Sequence, residues 1–342
     1  MRNLGFRVIL LFGWVVFLGG LCACKKSGDP VSEDLQLEKI VLQTDWFAQP
    51  EHGGFYQALA KGYYQQEGLN VEILPGGPNS MSTQKVLKGT VDFAMNRADT
   101  IYKMASRGIA VQMVMATLQH DPQGILLHDS SPVRDFADLD GRRVMAIPGL
   151  AWIHWIEAKY GIRMEIVPHD FGMERFLNNE SFIQQCLITN EPFYVRQAGA
   201  NPRVLRLRDS GFDPYHGLYC LAEYAERNPD VVRKFIRASI RGWQDFILND
   251  PSPAFALIAR KNPKMNPQFM EFCYKSMQEQ QLVTGMDLTG SHVGQLEAGR
   301  MRLLESELIN LGLVESPLAE GVRWYSTEFL PKPGDAPGHG HP

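Results

Sequence analysis

"KIVLQTDWFAQPEHGGFYQALAKGYYQQEGLNVEIL", Lys39–Leu74, carries the pattern that decides the fold. Lys39–Thr44 is a short apolar and β-branched run that reads as a strand. "GFYQALAKGYY" reads as a helix opening at Gly54, Gly68 is its stop signal, and Asn70–Leu74 reads as a second strand. Strand, helix and strand in this length form a βαβ unit with parallel strands and a right-handed crossover. Between the first strand and the helix, "DWFAQPEHGG" puts aromatics, two acids, a histidine and two glycines on one short turn. Such a turn can build a metal site, a catalytic dyad or one wall of a pocket. Glu51 and His52 are adjacent, so they cannot share a helical face as paired zinc ligands do.

The same grammar continues along the chain. "VDFAM" precedes "RADTIYKMASRG", "VQMVMATL" follows, "RRVMAI" precedes "GLAWIHWIEAKYG", then come "MEIVP", "QCLIT" before "NEPFYVRQAG", and "RVLRL". Alternating strand and helix patterns predict an α/β protein with mostly parallel sheets. The last third reads as helical. In "PDVVRKFIRASIRGWQDFILND", Val232, Phe235, Ile236, Ile240, Trp243 and Ile247 recur at three- and four-residue spacing, opposite Arg233, Lys234, Arg237 and Arg241. That basic stripe reads as a solvated helix face. The closing "KPGDAPGHGHP", with His339 and His341, reads as a flexible tail at 331–342 and not as a metal site.

The N-terminus predicts an address. Arg2 and Arg7 precede "VILLFGWVVFLGGL", an acid-free apolar run too short to span a bilayer comfortably, which is the layout of a secretory signal. It ends in "LCAC", Leu21–Cys24, which resembles the lipobox of bacterial lipoproteins. The resemblance implies a signal peptide over residues 1–24, a lipid on Cys24 and a polar tether over 25–37; a signal cut nearby without lipid is the alternative. The expected location is periplasmic or extracytoplasmic, anchored to the membrane by that lipid.

Charge and cysteine content exclude other classes. The formal charge is −4, and losing Arg2 and Arg7 with the signal takes it to −6, which leaves no basic footprint for nucleic acid. Cys186, Cys220 and Cys273 are odd in number and far apart, so they read as small buried side chains and not as a disulfide framework. With 44% apolar residues, the chain of 342 has material for two lobes. There is no GxSxG elbow, HExxH, P-loop or GxGxxG after a strand. No catalytic residue, metal or cofactor is expected.

In open α/β sheets, ligands sit beyond the carboxyl ends of the strands. The first strand delivers Asp45, Trp46 and His52 there, and the third delivers Asn96 and Arg97. "MAIPGLAW" delivers Pro148 and Gly149, and "QCLITNEPF" delivers Asn190 and Glu191. Aromatics, amides and a carboxylate suit a planar heterocycle with donor and acceptor edges better than a bare anion. The glycines at 53 and 54 are expected to let the backbone approach the ligand and start the helix.

"LQTDWFAQPEHGGFYQALAKGYYQQEGLNVEILPGG", "VDFAMNRADT", "ITNEPFYVRQAG" and "NPDVVRKFIRASIRGWQDFI" resemble the solute-binding components of ABC importers in the thiamine-pyrimidine, nitrate, sulfonate and taurine group, in the same order over about residues 38–310. "DW…HGGFYQAL" and "NEPF" most resemble members that bind thiamine pyrimidine precursors. The resemblance implies the two-lobed, type II periplasmic-binding-protein fold, with lobe I at 38–128 and 216–330 and lobe II at 129–215. It implies a ligand in the cleft between hinged lobes, with Trp46 stacking on its ring, Asp45 lining the same wall and Glu191 accepting two hydrogen bonds. His52 is expected to orient the loop, and Tyr215 and Tyr219 to serve as lid contacts. An aminopyrimidine is the first choice of ligand, riboflavin the second and an alkyl sulfonate or taurine the third. The implied partners are an ABC permease and ATPase, with the protein itself a monomer. The chain also resembles a eukaryotic enzyme that makes the thiamine pyrimidine from histidine and pyridoxal phosphate. That enzyme needs a consumed histidine and a cysteine run, and here Thr100 and "GFDPY", Gly211–Tyr215, stand in their places.

Overall fold

The computed structural model describes residues 37–332; the expected signal segment, Cys24, the tether up to residue 36, and His339 and His341 of the tail lie outside them. Ten strands run in chain order: β1 Glu38–Gln43, β2 Leu69–Leu74, β3 Phe93–Arg97, β4 Val111–Leu118, β5 Gln123–His128, β6 Arg143–Ala146, β7 Glu165–Pro168, β8 Gln184–Leu187, β9 Pro202–Arg206 and β10 His216–Leu221. They form two five-stranded sheets, ordered β2-β1-β3-β10-β4 and β7-β6-β8-β5-β9.

Both sheets follow one plan. Four strands share a direction and the strand in the fourth place opposes them: β10 is antiparallel to β3 and β4, and β5 to β8 and β9. The two opposed strands are those that arrive from the other sheet. β4 ends at Leu118 and β5 begins at Gln123, so four residues carry the chain between sheets. A link this short has no room for a crossover helix, so the chain enters the second sheet at the edge facing the end of β4 and runs backwards through it. Each sheet is thus mostly parallel in strand direction, as expected, and mixed by its one opposed strand; the passage lies at 119–122, since β5 belongs wholly to the second sheet and the lobe boundary expected near residue 128 falls after it. The return strand begins at His216.

The β1–β2 pair is parallel, in register from Glu38↔Leu69 to Gln43↔Leu74. All six positions of β5 are buried, and β4 is buried at seven of eight, as strands covered on both faces must be. The helix Pro229–Leu248 buries Val232, Phe235, Ile236, Ile240, Trp243 and Ile247, the face read from the sequence. Its opposite face is partly engaged: Arg237 Nε donates to Glu67 at 2.7 Å, and the Arg241 guanidinium sits 3.8 Å over the Tyr63 ring. Cys186, Cys220 and Cys273 are free and buried. No helix among the described residues is long and apolar enough to cross a membrane.

The glycines of the first helix, Gly53–Ala60, have a different task from the one expected. Gly53 has an ordinary helical φ of −54°. A Cβ on Gly53 would lie 2.2 Å from the Phe246 ring, and one on Gly54 2.1 Å from the Trp243 indole. A Cβ on Gly242 of the long helix would come 2.3 Å from the Gly54 carbonyl oxygen. They permit two helices to touch backbone to backbone, and the ligand wall begins one turn earlier.

Candidate functional site

A cavity of about 810 Å³ is lined mostly by residues at the carboxyl ends of the parallel strands of both sheets or at the starts of β5 and β10, with Asn262, Pro263, Lys264, Met265 and Phe269 added from between the helices Ser252–Lys261 and Pro267–Glu279 and the start of the second. After β1 come Asp45, Trp46, Phe47, Gln49, Glu51 and His52; β3 ends in Asn96 and Arg97. From the second sheet come Gln123, Ile147, His169, Phe171, Gln185, Asn190 and Glu191. The antiparallel strands contribute their first residues, His216 and Gln123, because they enter at the cleft edge.

Trp46 is held by its backbone. Thr44 Oγ1 donates to the Trp46 carbonyl at 2.8 Å, as does the Gly76 amide, also at 2.8 Å. A Cβ at Gly76 would stand 2.2 Å from the Thr44 carbonyl, so this close approach after β2 requires glycine. Asp45 Oδ1 lies 2.8 Å from Nε2 of the buried His52. Burial opposes ionisation of Asp45, but the His52 hydrogen bond and the His52 and His216 charges hold its carboxyl below the usual value. His52 thus orients Asp45.

Arg97 is a lining residue whose charge is already committed. Its Nε and Nη2 donate to the two oxygens of the buried Asp99 at 3.0 and 2.8 Å, a bidentate pair. Glu191 opens the helix Glu191–Gln197, and its Oε2 accepts from the Leu187 amide at 2.7 Å. Burial pushes its carboxyl up to about 7, helped by the nearby Glu51 and opposed by hydrogen bonds from the Leu187 and Glu191 amides.

Asp45, Trp46, His52, Asn96, Arg97, Asn190 and Glu191 all line the cavity, as does Thr100. Tyr215 does not. It is buried beneath the Arg300 guanidinium, 3.9 Å from its ring, and its hydroxyl accepts from the Glu297 amide at 3.4 Å. It supports the return crossing, where Arg300 also donates to the Asp213 and Gln119 carbonyls at 2.6 Å. Tyr219 is likewise buried within β10, 3.3 Å from the Thr83 hydroxyl. The expected lid role fits neither tyrosine, because both lie inside the sheet or crossing and not at a mouth. Pro148 and Gly149 are flanked by the residues that do line the cavity, Ile147 and Leu150.

Glu51, Phe171, Tyr194 and His216 were not singled out as cavity residues by the sequence. Glu51 is buried, accepts a hydrogen bond from the hydroxyl of Thr189 just after β8, and accepts from Cys273 Sγ at 3.2 Å. The signal for it was present: an acid in the turn after a strand. Its place next to His52 reads equally as half of a metal or catalytic pair.

A family model described as NMT1/THI5 like matches residues 49–254. The riboflavin-binding protein RibY of Chloroflexus aurantiacus is 24% identical over 307 residues, covering 86% of this chain and 87% of that one. A 4-amino-5-hydroxymethyl-2-methylpyrimidine phosphate synthase of Aspergillus parasiticus is 24% identical over 250 residues, with coverages of 68% and 73%. A formylaminopyrimidine-binding protein of Halalkalibacterium halodurans is 22% identical over 273 residues, with coverages of 76% and 80%. The crystal structure of the periplasmic aliphatic sulphonate binding protein SsuA from Escherichia coli superposes with a TM-score of 0.63 at 12% identity, over 84% of this chain and 97% of that one. The two mixed sheets are thus those of the periplasmic binding protein fold, and with the family model spanning more than half of its length, this chain belongs to the NMT1/THI5-like family.

Proposed function

We propose that this protein is the extracytoplasmic solute-binding component of an ABC importer, holding a flat nitrogen heterocycle between its two lobes and releasing it unaltered to a permease and ATPase. The observation that carries the reading is the composition of the cavity. It is aromatic at Trp46, Phe171 and Tyr194 and acidic at Asp45, Glu51 and Glu191, while the buried Arg97 is neutralised by Asp99. Rings with N–H donors meet both demands, through stacking and through carboxylate acceptors.

Volume ranks the ligands. About 810 Å³ falls in the range of roughly 300–1,000 Å³ that encloses drug-sized molecules. A fused-ring solute of flavin size fits that space, whereas a single aminopyrimidine leaves much of it to water. A riboflavin-like ring system therefore moves ahead of the aminopyrimidine. An alkyl sulfonate ranks last, because the buried Arg97 is already paired with Asp99 and the cavity's lysine, Lys264, is exposed to solvent. The riboflavin-binding and formylaminopyrimidine-binding relatives both take nitrogen heterocycles by name.

Capture without chemistry is favoured over the synthase reading by Thr100, which lines the cavity where the related enzyme is expected to spend a histidine, and by the scattered, buried cysteines. A monomer tethered by a lipid on Cys24, with Asp45, Trp46, Asn96, Arg97, Asn190 and Glu191 touching the ligand, completes the proposal. Native mass spectrometry of the protein as purified, followed by calorimetry with riboflavin and with 4-amino-5-hydroxymethyl-2-methylpyrimidine, tests it. Trp46→Ala and Glu191→Ala are each expected to weaken binding about tenfold or more, about 1.4 kcal/mol. Unchanged affinity in both variants, or turnover of the bound molecule, would overturn it.

A further inference from the structure

The geometry points to Phe171 as the second stacking face of the ligand site, a specificity-determining residue that swings from the second lobe to close a planar ring against Trp46. The inference rests on the ring-binding reading and adds to it the thickness and orientation of what is bound.

Phe171 follows β7, in "HDFG", His169–Gly172. The residue is 57% exposed, one of the largest apolar residues left so open, yet it lines the cavity. It meets Trp46 of the other lobe at 5.7 Å between centroids, with the planes 35° apart. That tilt is neither a stack nor an edge-to-face contact, the two arrangements that aromatic pairs prefer. The backbone at Phe171 has φ +61°, a left-handed conformation that bulky side chains rarely adopt. Its amide donates to His169 Nδ1 at 2.9 Å, and the Gly172 amide donates to Asp170 Oδ1, also at 2.9 Å, while His169 anchors the base of the loop to the Ala146 and Gln185 carbonyls and Phe171 itself bonds only within the loop. Strain of this kind persists where it serves a purpose, and here it throws an aromatic ring across the cleft.

The spacing sets the mechanism. One flat ring between two others needs about 7 Å from centroid to centroid, twice the ~3.5 Å contact distance of stacked carbon atoms. The centroids are 5.7 Å apart, so the loop must yield by at least about 1.3 Å, and rotation of Phe171 removes the tilt. A planar heterocycle one ring thick then gains two stacked faces, with its edge directed at Glu191 and Asp45. Puckered or tetrahedral solutes cannot use the slot.

The test compares wild type with Phe171→Ala, Phe171→Tyr and Phe171→Gly, titrated with riboflavin and with the aminopyrimidine and read by calorimetry and tryptophan fluorescence. Phe171→Ala and Phe171→Gly are expected to lose about tenfold or more in affinity and Phe171→Tyr to stay within about threefold. Phe171→Gly should melt no lower than wild type, since glycine adopts φ +61° without strain. Affinity within about twofold of wild type in Phe171→Ala, alongside a loss in Trp46→Ala, would overturn the inference and leave the proposed function standing. No binding of either ring by the wild type would overturn both.

Discussion

Glu191 is asked to be a carboxylate for its ligand and an acid for its fold. Burial holds its carboxyl at about 7 against a usual 4.5, so the folded protein keeps a proton that the unfolded chain has already released over that interval. Stability from this group is therefore full below about 4.5 and is lost as the pH rises to about 7. A ligand N–H needs the ionised form, so affinity moves the other way and tightens as the pH rises through about 7. Glu191→Gln should flatten both profiles. Calorimetry and urea midpoints across pH 5–8, compared between wild type and the amide, check it; a persistent affinity slope in the amide would assign the titration to another group. At this scale the sequence revealed the residues that follow parallel strands, because strand ends are where α/β ligands sit. It concealed Phe171, since nothing in a residue's identity announces a left-handed backbone, and it misplaced Tyr215, whose ring is claimed by an arginine some 80 positions away.

At the scale of elements, the first helix owes its place to what it lacks. Gly53, Gly54 and Gly242 let Gly53–Ala60 lie directly on Pro229–Leu248, beneath Trp243 and Phe246, and this contact fixes the loop that carries Trp46 and Glu51. A methyl at Gly54 would have to displace a fully buried indole. Gly54→Ala is thus predicted to cost about 1–3 kcal/mol, as overpacked cores do, lowering the urea midpoint with an unchanged slope. An unaltered midpoint would mean that Trp243 has another place to go. The parallel strands were legible because helices separate them and each helix has its own period. β5 and β10 were not. "QGILLH" has no helix beside it and is buried throughout, and "HGLYCL", although a helix follows at Ala222, is buried at its four central positions, so no alternation marks the faces of either. Only the need to cross directly between sheets explains their direction.

Across the whole molecule, the two crossings form one joint. Asp213, beside the return strand, accepts from the Asp121 amide at 2.8 Å and lies 2.7 Å from His120 Nδ1, while Arg300 clamps both passages. Away from that joint, Glu51 of the first lobe and Thr189 of the second meet in a buried hydrogen bond. In the proposed hinge closure, rotation about the crossings would separate these two and admit water to both, so their bond would strengthen the closed form alone. Thr189→Val keeps the shape and leaves Glu51 Oε1 short of a donor only when the lobes are shut, a loss of about 1–3 kcal/mol. Stopped-flow binding of riboflavin should therefore show dissociation faster by about fivefold or more, with association unchanged, because encounter precedes closure. Equal dissociation rates would make the contact a static part of the core, and the lobes would then have to close by another seam, such as the Tyr194–Phe269 stack at 5.5 Å.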